Sequence, residues 1–401
     1  MDLRALPSSG ATSAALAATL LLLLWACGGE VLDERVVGVP ESSGRLVIIG
    51  GGLQAENTAV YQAILDGRSG EGPVCVFPTA SADPQESMES AISRFDAVGG
   101  EGTAQGIFLT VDNPSDAALP ETVAKIEGCS GFYFVGGQQR RIIEVFRPEE
   151  RDTPAYEALL ARHLAGAVVS GSSAGAAIMT DPMIGGGNSA GAVGSGVRGE
   201  GDEEGVVLGK GLGLLKTVFV DQHFLARGRW ARLLVAVLAT DSFDLGMGID
   251  ENTALVVDGD SAWVAGASGV LLFDTREVVR DEGGNAGSGI VLSLLGSGAG
   301  VDLRTGEIQV RADKSRLLGT GEAYSASELD LFDRWALLHF LSDFAVSSDT
   351  LFTHRQNGHL FEFLKEPGFE AHAWSALGAE DTPFGLSVGP LRLSLIRDSP
   401  N

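Results

Sequence analysis

The stretch Leu46–Gly52, with the sequence LVIIGGG, indicates the fold class of this chain. Its apolar residues form a short strand without polar alternation, and the strand runs directly into three glycines that permit a tight turn. A fully apolar strand is typical of a parallel sheet that is covered by helices on both faces. Sites in such sheets form beyond the carboxyl ends of the strands, which is where these glycines lie.

Further apolar segments repeat this pattern along the chain, at 73–77, 106–109, 131–135 and 166–169. Helical stretches separate them, at 54–66, 84–98, 116–127, 138–147 and 154–164. This alternation predicts an α/β fold with a doubly wound, mostly parallel sheet in three layers.

The next part of the chain is less regular. Residues 185–211 are rich in glycine and have no hydrophobic period, so we interpret them as a mobile loop close to the site. Beyond them the sequence predicts strands at 218–220, 245–249 and 254–257, a helix at 228–239, and strand-like sequence at 290–311. The segments 262–264 and 270–273 are predicted to form a β-hairpin.

The first 27 residues have the pattern of a secretory signal, with Arg4 followed by the apolar run Ala14–Leu24. That run is short for a helix that spans a membrane. Leu24–Cys27, LWAC, is similar to a bacterial lipobox, whose cysteine becomes the lipidated first residue; the alternative is an ordinary cleaved signal. Both predict a mature protein outside the cytoplasm, periplasmic or extracellular, with a lipid anchor at Cys27 in the first case.

The rest of the chain divides into three parts. Residues 28–44 are polar and predict a linker, 45–311 form the catalytic domain, and 312–401 form a small C-terminal extension packed on it. In the extension, Ser325 and Glu328 have the spacing of a capping box that opens a helix through Phe344.

Acidic residues dominate the composition, with 53 Asp and Glu against 28 Lys and Arg and a net charge of -25. This charge argues against nucleic acid or an anionic membrane as the main partner. It is typical of a soluble, exported protein or of one that attracts a cationic substrate. Two cysteines follow the signal, Cys75 and Cys129, and they either pair in an oxidising compartment or remain two buried thiols.

Two serines have the G-x-S-x-G pattern, Ser173 in GSSAG and Ser189 in GNSAG. The pattern is weak in a chain with 55 glycines, so its context decides. A nucleophile elbow needs a strand before the serine and a helix after it, so that the hydroxyl stands above the sheet. Ser173 follows the strand 166–169 and precedes the helix-prone segment 174–180, whereas Ser189 lies in the glycine-rich loop. We predict that Ser173 is the nucleophile of a serine hydrolase.

A serine nucleophile needs a base and a carboxylate that orients the base. His223 follows the strand 218–220 at the edge where the site forms, whereas the other five histidines lie on a helix or in the extension. The carboxylate is Asp250 or Glu251, which follow the strand 245–249. Adjacent residues of an extended chain face opposite sides, so only one can serve, and the residues alone leave this choice open.

Three arginines cluster directly after His223, at Arg227, Arg229 and Arg232. Guanidinium groups bind carboxylates through paired hydrogen bonds, so the cluster predicts a substrate with carboxylate groups. The alternative is ion pairing with acidic residues on the surface of a helix.

Four motifs in order resemble the cyanophycinases, serine peptidases grouped with aspartyl dipeptidase. They are GGxQ at Gly136–Gln139, GxSAGA at Gly171–Ala176, DQHF at Asp221–Phe224 with the three arginines, and GIDExTA at Gly248–Ala254. The resemblance extends from about residue 46 to about residue 307. It implies the three-layer, flavodoxin-like fold of class I glutamine amidotransferases, a homodimer, and neither a metal nor an organic cofactor.

The resemblance also implies roles for individual residues. The catalytic triad is Ser173, His223 and Glu251. The backbone N–H groups of Gly137, Gln138 and Ala174 are the expected oxyanion donors. The residues expected to shape the substrate pocket are Gln139, Asp221, Gln222, Arg227, Arg229 and Arg232.

The implied reaction is hydrolysis of cyanophycin, a poly-aspartate chain with arginine on each β-carboxyl, to β-Asp-Arg dipeptides. This chain departs from the family at Gln138, where Asp is common, and in its long glycine-rich loop and its extension. Two other functions compete with this one: an aspartyl or isoaspartyl dipeptidase acting on small peptides, and a non-catalytic binding lipoprotein with the same fold.

Overall fold

The computed structural model describes residues 43–199, 204–326, 328–373 and 385–398. The predicted signal and lipobox, and all of the linker except its last two residues, lie outside the described residues. The described residues belong to one compact unit, 41–401, which includes the C-terminal extension. Among them, no helix has both the length and the apolar character needed to cross a membrane.

Five parallel strands form one half of the first sheet, in the order β1-β5-β4-β2-β3. They are β1 (Leu46–Ile49), β2 (Val74–Phe77), β3 (Ala104–Gly106), β4 (Gly131–Phe134) and β5 (Val168–Ser172). The helices between them are α1 (Thr58–Asp66), α2 (Pro84–Gly99), α3 (Pro120–Glu127), α4 (Gln139–Phe146) and α5 (Pro154–Leu164), with 3-10 turns at Pro114–Ala118 and Pro148–Glu150. The predicted α/β order of this half is confirmed.

Both faces of this half-sheet are buried, as the apolar strands predict. In β1, Val47 and Ile49 pack against α1 and α2, whereas Leu46 and Ile48 face the core shared with α3, α4 and α5. All four side chains are buried. Helices on both faces of a central sheet give the predicted three layers.

The other half of the first sheet is antiparallel and makes the sheet mixed. The strand β11 (Thr253–Asp258) pairs with β1 on the side opposite β5. Beyond it come β12 (Ser261–Gly266), β16 (Gly300–Asp302) and β17 (Ile308–Gln309).

A second nine-stranded sheet combines strands of the predicted catalytic domain with the strands of the extension. Its strands are β9 (Phe219–Gln222), β10 (Leu245–Ile249), β13 (Gly269–Asp274), β14 (Val279–Arg280), β15 (Gly287–Gly296), β18 (Ser315–Arg316), β19 (Leu351–Gln356), β20 (His359–Ala373) and β21 (Ser387–Arg397). Because β21 pairs with β15, the extension continues the sheet.

Two sequence predictions about this region are wrong. The segments 262–264 and 270–273 do not form a hairpin, since β12 pairs in the first sheet and β13 in the second. An apolar run indicates that a strand is buried, but it does not determine which strand pairs with it. The extension helix α9 spans Ala336–Val346, so the predicted capping box at Ser325 and Glu328 lies well before its start.

The segment predicted as a mobile loop is largely regular. It contains β6 (Met183–Gly186), a helix at Ser189–Ser195, β7 (Val197–Arg198) and β8 (Val206–Gly209), and the strands form a small third sheet. The short helices α6 (Ala174–Ala177) and α7 (Ser189–Ser195), a 3-10 turn at Leu225–Arg227 and α8 (Trp230–Leu238) complete the elements around the site. The prediction fails because the helix Ser189–Ser195 consists almost entirely of small residues, which give no hydrophobic period in the sequence.

The two cysteines are paired. Cys75 lies in β2 and Cys129 directly before the neighbouring strand β4, and a disulfide joins them with 5.9 Å between their Cα atoms. Of the two outcomes that the sequence left open, the structure has the bridge.

Candidate active site

Ser173 stands on a sharp turn between β5 and α6. Its backbone has φ 55° and ψ -106°, a strained conformation for a residue with a side chain. The flanking glycines make the turn possible, because a Cβ at Gly171 would lie 2.4 Å from the Gly175 oxygen. A Cβ at Gly175 would lie 2.5 Å from the Phe134 oxygen. Both glycines of G-x-S-x-G are therefore required here, because a side chain at either position would clash with the backbone.

The Gly50–Gly52 turn after β1 connects the segments that carry the other polar residues. Its carbonyls accept hydrogen bonds from His223 N at Gly50 (2.7 Å) and from Asn252 N at Gly51 (2.8 Å). The preceding carbonyl, of Ile49, accepts one from Ser173 N at 2.9 Å. Three segments far apart in sequence are thus fixed on one short turn.

The structure brings Ser173, His223 and Glu251 into one hydrogen-bonded chain. The Ser173 Oγ lies 2.8 Å from His223 Nε2, and His223 Nδ1 lies 2.5 Å from Glu251 Oε1. These partners assign the Nδ1–H tautomer, which donates to the carboxylate and leaves Nε2 to accept the serine proton. Gly51 makes room for the ring, because a Cβ there would lie 2.3 Å from it.

The two neighbouring carboxylates have different surroundings. Asp250 is fully buried and accepts hydrogen bonds from Ala226 N at 2.9 Å and from Ser268 Oγ at 2.7 Å. Burial raises the pKa of Asp250 to about 6. Asp250 therefore holds the segment after β9 in place. Of the two carboxylates, only Glu251 contacts the imidazole of His223.

The environment keeps His223 neutral near pH 7. Burial lowers the pKa of its imidazole below the usual value of 6.5; the hydrogen bond to Glu251 opposes this effect, and the Arg227 charge adds to it. A neutral imidazole accepts a proton from a serine hydroxyl, as a general base must.

Two of the three expected oxyanion donors have backbone N–H groups that no acceptor of the described residues occupies, so their role stays a prediction. Within the described residues, the N–H groups of Ala174 and Gly137 donate no hydrogen bond, and Gly136 packs against Ser173. Gln138 is a correction, since its N–H already donates to the Ala80 oxygen at 2.9 Å. A backbone donor with an internal acceptor does not stabilise an oxyanion.

Asp221 and Arg232 form a buried pair rather than an open pocket wall. The guanidinium binds both carboxylate oxygens at 2.7 Å, and the two side chains are 1% and 4% exposed. Arg232 also donates to the Gly187 oxygen at 2.6 Å. The prediction that these two side chains bind substrate is corrected, because their polar atoms are satisfied inside the protein.

Of the other predicted pocket residues, Gln222 is buried, Arg229 and Gln139 are half-buried and Arg227 is exposed. Arg229 donates to the Gln222 oxygen and to its Oε1, and burial lowers the pKa of Arg229 to about 10. Gln139 donates to the carbonyls of Ile184 and Gly185 in β6. Arg227 is exposed, with its Nη2 3.4 Å from His223 Nε2 and its Nε 3.6 Å from Glu251 Oε1.

Sequence reasoning missed the supporting roles of Gly51 and Asn252, and it named Asp250 only as a possible carboxylate of the triad. Asn252 has φ 53° and accepts hydrogen bonds from Asn57 Nδ2 and Gln54 N through its Oδ1. The triple glycine after β1 was the available signal, since only glycine permits so close an approach of three segments. In the part of the chain that the structure describes, no group of three or more His, Cys, Asp or Glu side chains is placed to hold a metal.

Comparison with known proteins identifies the family of this chain. The pattern of peptidase family S51 matches residues 46–265. A cyanophycinase from a Nostoc species is 32% identical over 264 residues, which cover 64% of this chain and 82% of the relative, and one from Trichormus variabilis has the same identity and coverage. A solved peptidase from an acI-B1 Actinobacterium is 22% identical, covers 59% of this chain and 91% of its own, and has a TM-score of 0.43. The chain belongs to peptidase family S51 and is a serine-type peptidase.

Proposed function

We propose that this chain is an exported exopeptidase that cleaves the poly-aspartate backbone of cyanophycin to β-Asp-Arg dipeptides, with Ser173, His223 and Glu251 as its triad. The main support is the hydrogen-bonded chain from Ser173 through His223 to Glu251. Its members follow β5, β9 and β10, at the strand ends where sites form in α/β proteins.

The mechanism follows from these contacts. His223 Nε2 takes the Ser173 proton as Oγ attacks a backbone carbonyl of an aspartate, and Glu251 stabilises the imidazolium. The N–H groups of Ala174 and Gly137 bind the oxyanion. Collapse of the tetrahedral intermediate breaks the C–N bond, and His223 gives its proton to the leaving amine. Water then attacks the acyl-serine, again with His223 as base, and regenerates the hydroxyl.

The substrate is supported by the named relatives and by charge. The relatives from Nostoc and Trichormus are cyanophycinases. A net charge of -25 is compatible with the guanidinium group that the polymer carries on every unit. Arg227, the exposed cation next to His223, is placed for a carboxylate of the same polymer.

The test is mass spectrometry of the products after incubation with insoluble cyanophycin. We expect β-Asp-Arg from the unaltered protein and none from Ser173→Ala, with Ser189→Ala as the control from the second G-x-S-x-G motif. Release from free aspartyl dipeptides but not from the polymer would favour the dipeptidase function. A folded sample that a fluorophosphonate does not label would favour a binding protein without catalysis.

Export, lipidation and dimerisation are also part of the proposal. The Cys75–Cys129 bridge supports export, because disulfides persist in oxidising compartments. Palmitate labelling of intact cells, compared with Cys27→Ser, tests the anchor, and fractionation tests the compartment. Light scattering of the purified protein tests the homodimer, and a monomeric mass would contradict it.

A further inference from the structure

A polar cleft of about 350 Å³ adjoins the nucleophile on the side of α1 and α2. Its walls include Tyr61, Ser90, Arg94, Tyr133, Gly136 and Ser172. Neither the triad nor the arginine cluster lines it.

The cleft is continuous with the reacting hydroxyl. Ser172 directly precedes Ser173, and a Cβ at Gly136 would lie 3.3 Å from Ser173 Cβ and 3.9 Å from its Oγ. A group bound in the cleft therefore lies beside the residue that carries the reacting hydroxyl.

The floor of the cleft has a polar group without a partner. Tyr61 is 1% exposed, and its hydroxyl has no hydrogen-bond partner within 3.5 Å among the described residues. Phe95 holds both tyrosine rings edge to face, with centroid distances of 5.4 Å to Tyr61 and 5.2 Å to Tyr133. A buried hydroxyl that lacks a partner is costly, and Tyr61 belongs to the wall of the cleft, so this hydroxyl points to a ligand that approaches from it.

Arg94 supplies positive charge at the same place. Its Nη1 donates to the Leu53 oxygen at 3.1 Å, and no carboxylate of the described residues lies within ion-pair distance of it. Ser87 and Ser90 lie on the same face of α2 as Arg94, at spacings of three and four residues. None of the residues that line the cleft is acidic, in a chain with a net charge of -25.

Both tyrosines are donors at neutral pH. Burial raises the pKa of Tyr133 and the pKa of Tyr61, although the Arg94 charge opposes this. The cleft thus offers a guanidinium, two phenol O–H groups and serine hydroxyls, with no competing anion on its walls. Such a set matches a carboxylate, which accepts hydrogen bonds at both oxygens.

We infer that the cleft of Tyr61, Arg94 and Tyr133 binds a carboxylate of the substrate next to the scissile bond. This inference rests on the proposed function for the identity of that carboxylate. In cyanophycin the β-carboxyls are amidated, so the free carboxylates belong to the arginyl groups and to the chain end. The two sources have the same chemistry, and synthetic oligomers separate them.

The kinetic test uses a trimer of the Asp-Arg unit in three forms: with all carboxylates free, with the arginyl carboxylates amidated, and with the chain-terminal carboxylate amidated. We expect one of the two amides to lower kcat/KM about tenfold or more, as loss of a charged hydrogen bond does. That amide identifies the source. In Arg94→Gln the preference for the free acid over this amide falls to less than about threefold. Arg151→Gln, an exposed arginine outside the cleft, is the matched control and keeps the full preference.

A binding test is independent of turnover. Calorimetry on Ser173→Ala measures β-Asp-Arg and its carboxyl amides, with and without Arg94→Gln or Tyr61→Phe, after thermal melting has shown that each variant is folded. If the trimer is not cut but the dipeptide acid binds through Arg94, the proposed function fails and the cleft assignment stands. If neither amide alters kcat/KM or affinity, or if Arg94→Gln keeps the preference, the cleft assignment is overturned.

Discussion

Ser173 and Ser189 have the same G-x-S-x-G pattern and opposite surroundings. The Ser173 hydroxyl contacts His223 Nε2, on a turn with positive φ between a strand and a helix. The Ser189 side chain is buried, donates to the Gly228 oxygen at 2.6 Å and accepts from Ala231 N at 3.1 Å. One serine has its hydroxyl at the imidazole of the proposed base, and the other satisfies backbone groups at the start of α8.

The difference shows that the five-residue pattern G-x-S-x-G does not by itself determine the role of its serine. Each serine's role depends on what the rest of the chain places around its hydroxyl. Arg232 joins the second motif to the core through the Gly187 oxygen and Asp221, so part of the predicted substrate-binding cluster in fact supports Ser189. Substitutions in the two regions should therefore separate activity from stability.

Ser173→Ala should have the largest effect. Removal of the nucleophile lowers kcat by about 10,000-fold or more, because His223 then has no hydroxyl to activate. The midpoint of chemical unfolding should stay near that of the unaltered protein, since this serine is held in a strained conformation rather than by buried contacts. Product release on cyanophycin and unfolding in urea are the two measurements. Retained turnover would remove Ser173 from the mechanism.

Asp221→Asn should break the buried pair that supports the second motif. It leaves the Arg232 charge buried without its partner, which costs about 3–5 kcal/mol of unfolding free energy. Asp258→Asn is the control, because its partner Arg45 lies in an exposed pair worth about 1 kcal/mol or less. Urea unfolding followed by circular dichroism measures both. Equal losses in the two variants would contradict the structural role of Asp221.

Ser189→Ala should reverse the outcome of Ser173→Ala. It leaves the Gly228 oxygen and the Ala231 N–H without their partner, which costs about 1–3 kcal/mol of stability. Hydrolysis by the folded fraction should continue, since Ser189 does not contact the triad. We would compare the two serine variants by their free energy of unfolding and by kcat/KM, measured at a temperature where both are folded. Loss of turnover with unchanged stability would exchange the roles of the two serines.

Arg227→Gln should shift the pH profile by a small amount, apart from the loss of substrate binding that lowers kcat/KM equally at every pH. The pKa of His223 lies below 6.5 mainly because the ring is buried, and the Arg227 charge lowers it further. The neutral imidazole is the base, so kcat/KM rises with pH through this pKa and then levels. Without the positive charge the pKa rises, and the acidic limb moves to higher pH by under about one unit. A limb that moves to lower pH, or that Arg151→Gln moves equally, would contradict this electrostatic effect.

Much of the first sheet follows from local sequence. Apolar segments separated by helical stretches place β1, β2 and β4 to within one residue at each end, whereas β5 (Val168–Ser172) starts two residues and ends three residues after the predicted 166–169. The antiparallel second half, the separate pairing of β12 and β13 and the helix at Ser189 did not follow, because strand pairing and small-residue packing depend on partners far away in the chain.

The sequence by itself determined the α/β class, the elbow at Ser173 and the candidates His223, Asp250 and Glu251, because each follows an apolar strand whose end marks the site. Only the tertiary structure placed Glu251 at the imidazole and Asp250 in the interior. It also showed that the N–H of Gln138 already donates to the Ala80 oxygen, and that Arg232 is buried against Asp221. The physical reason is that a hydrogen bond depends on which segments meet at a distance and in what orientation. The meeting point here is the Gly50–Gly52 turn, which stands after the first strand and holds segments from three distant parts of the chain.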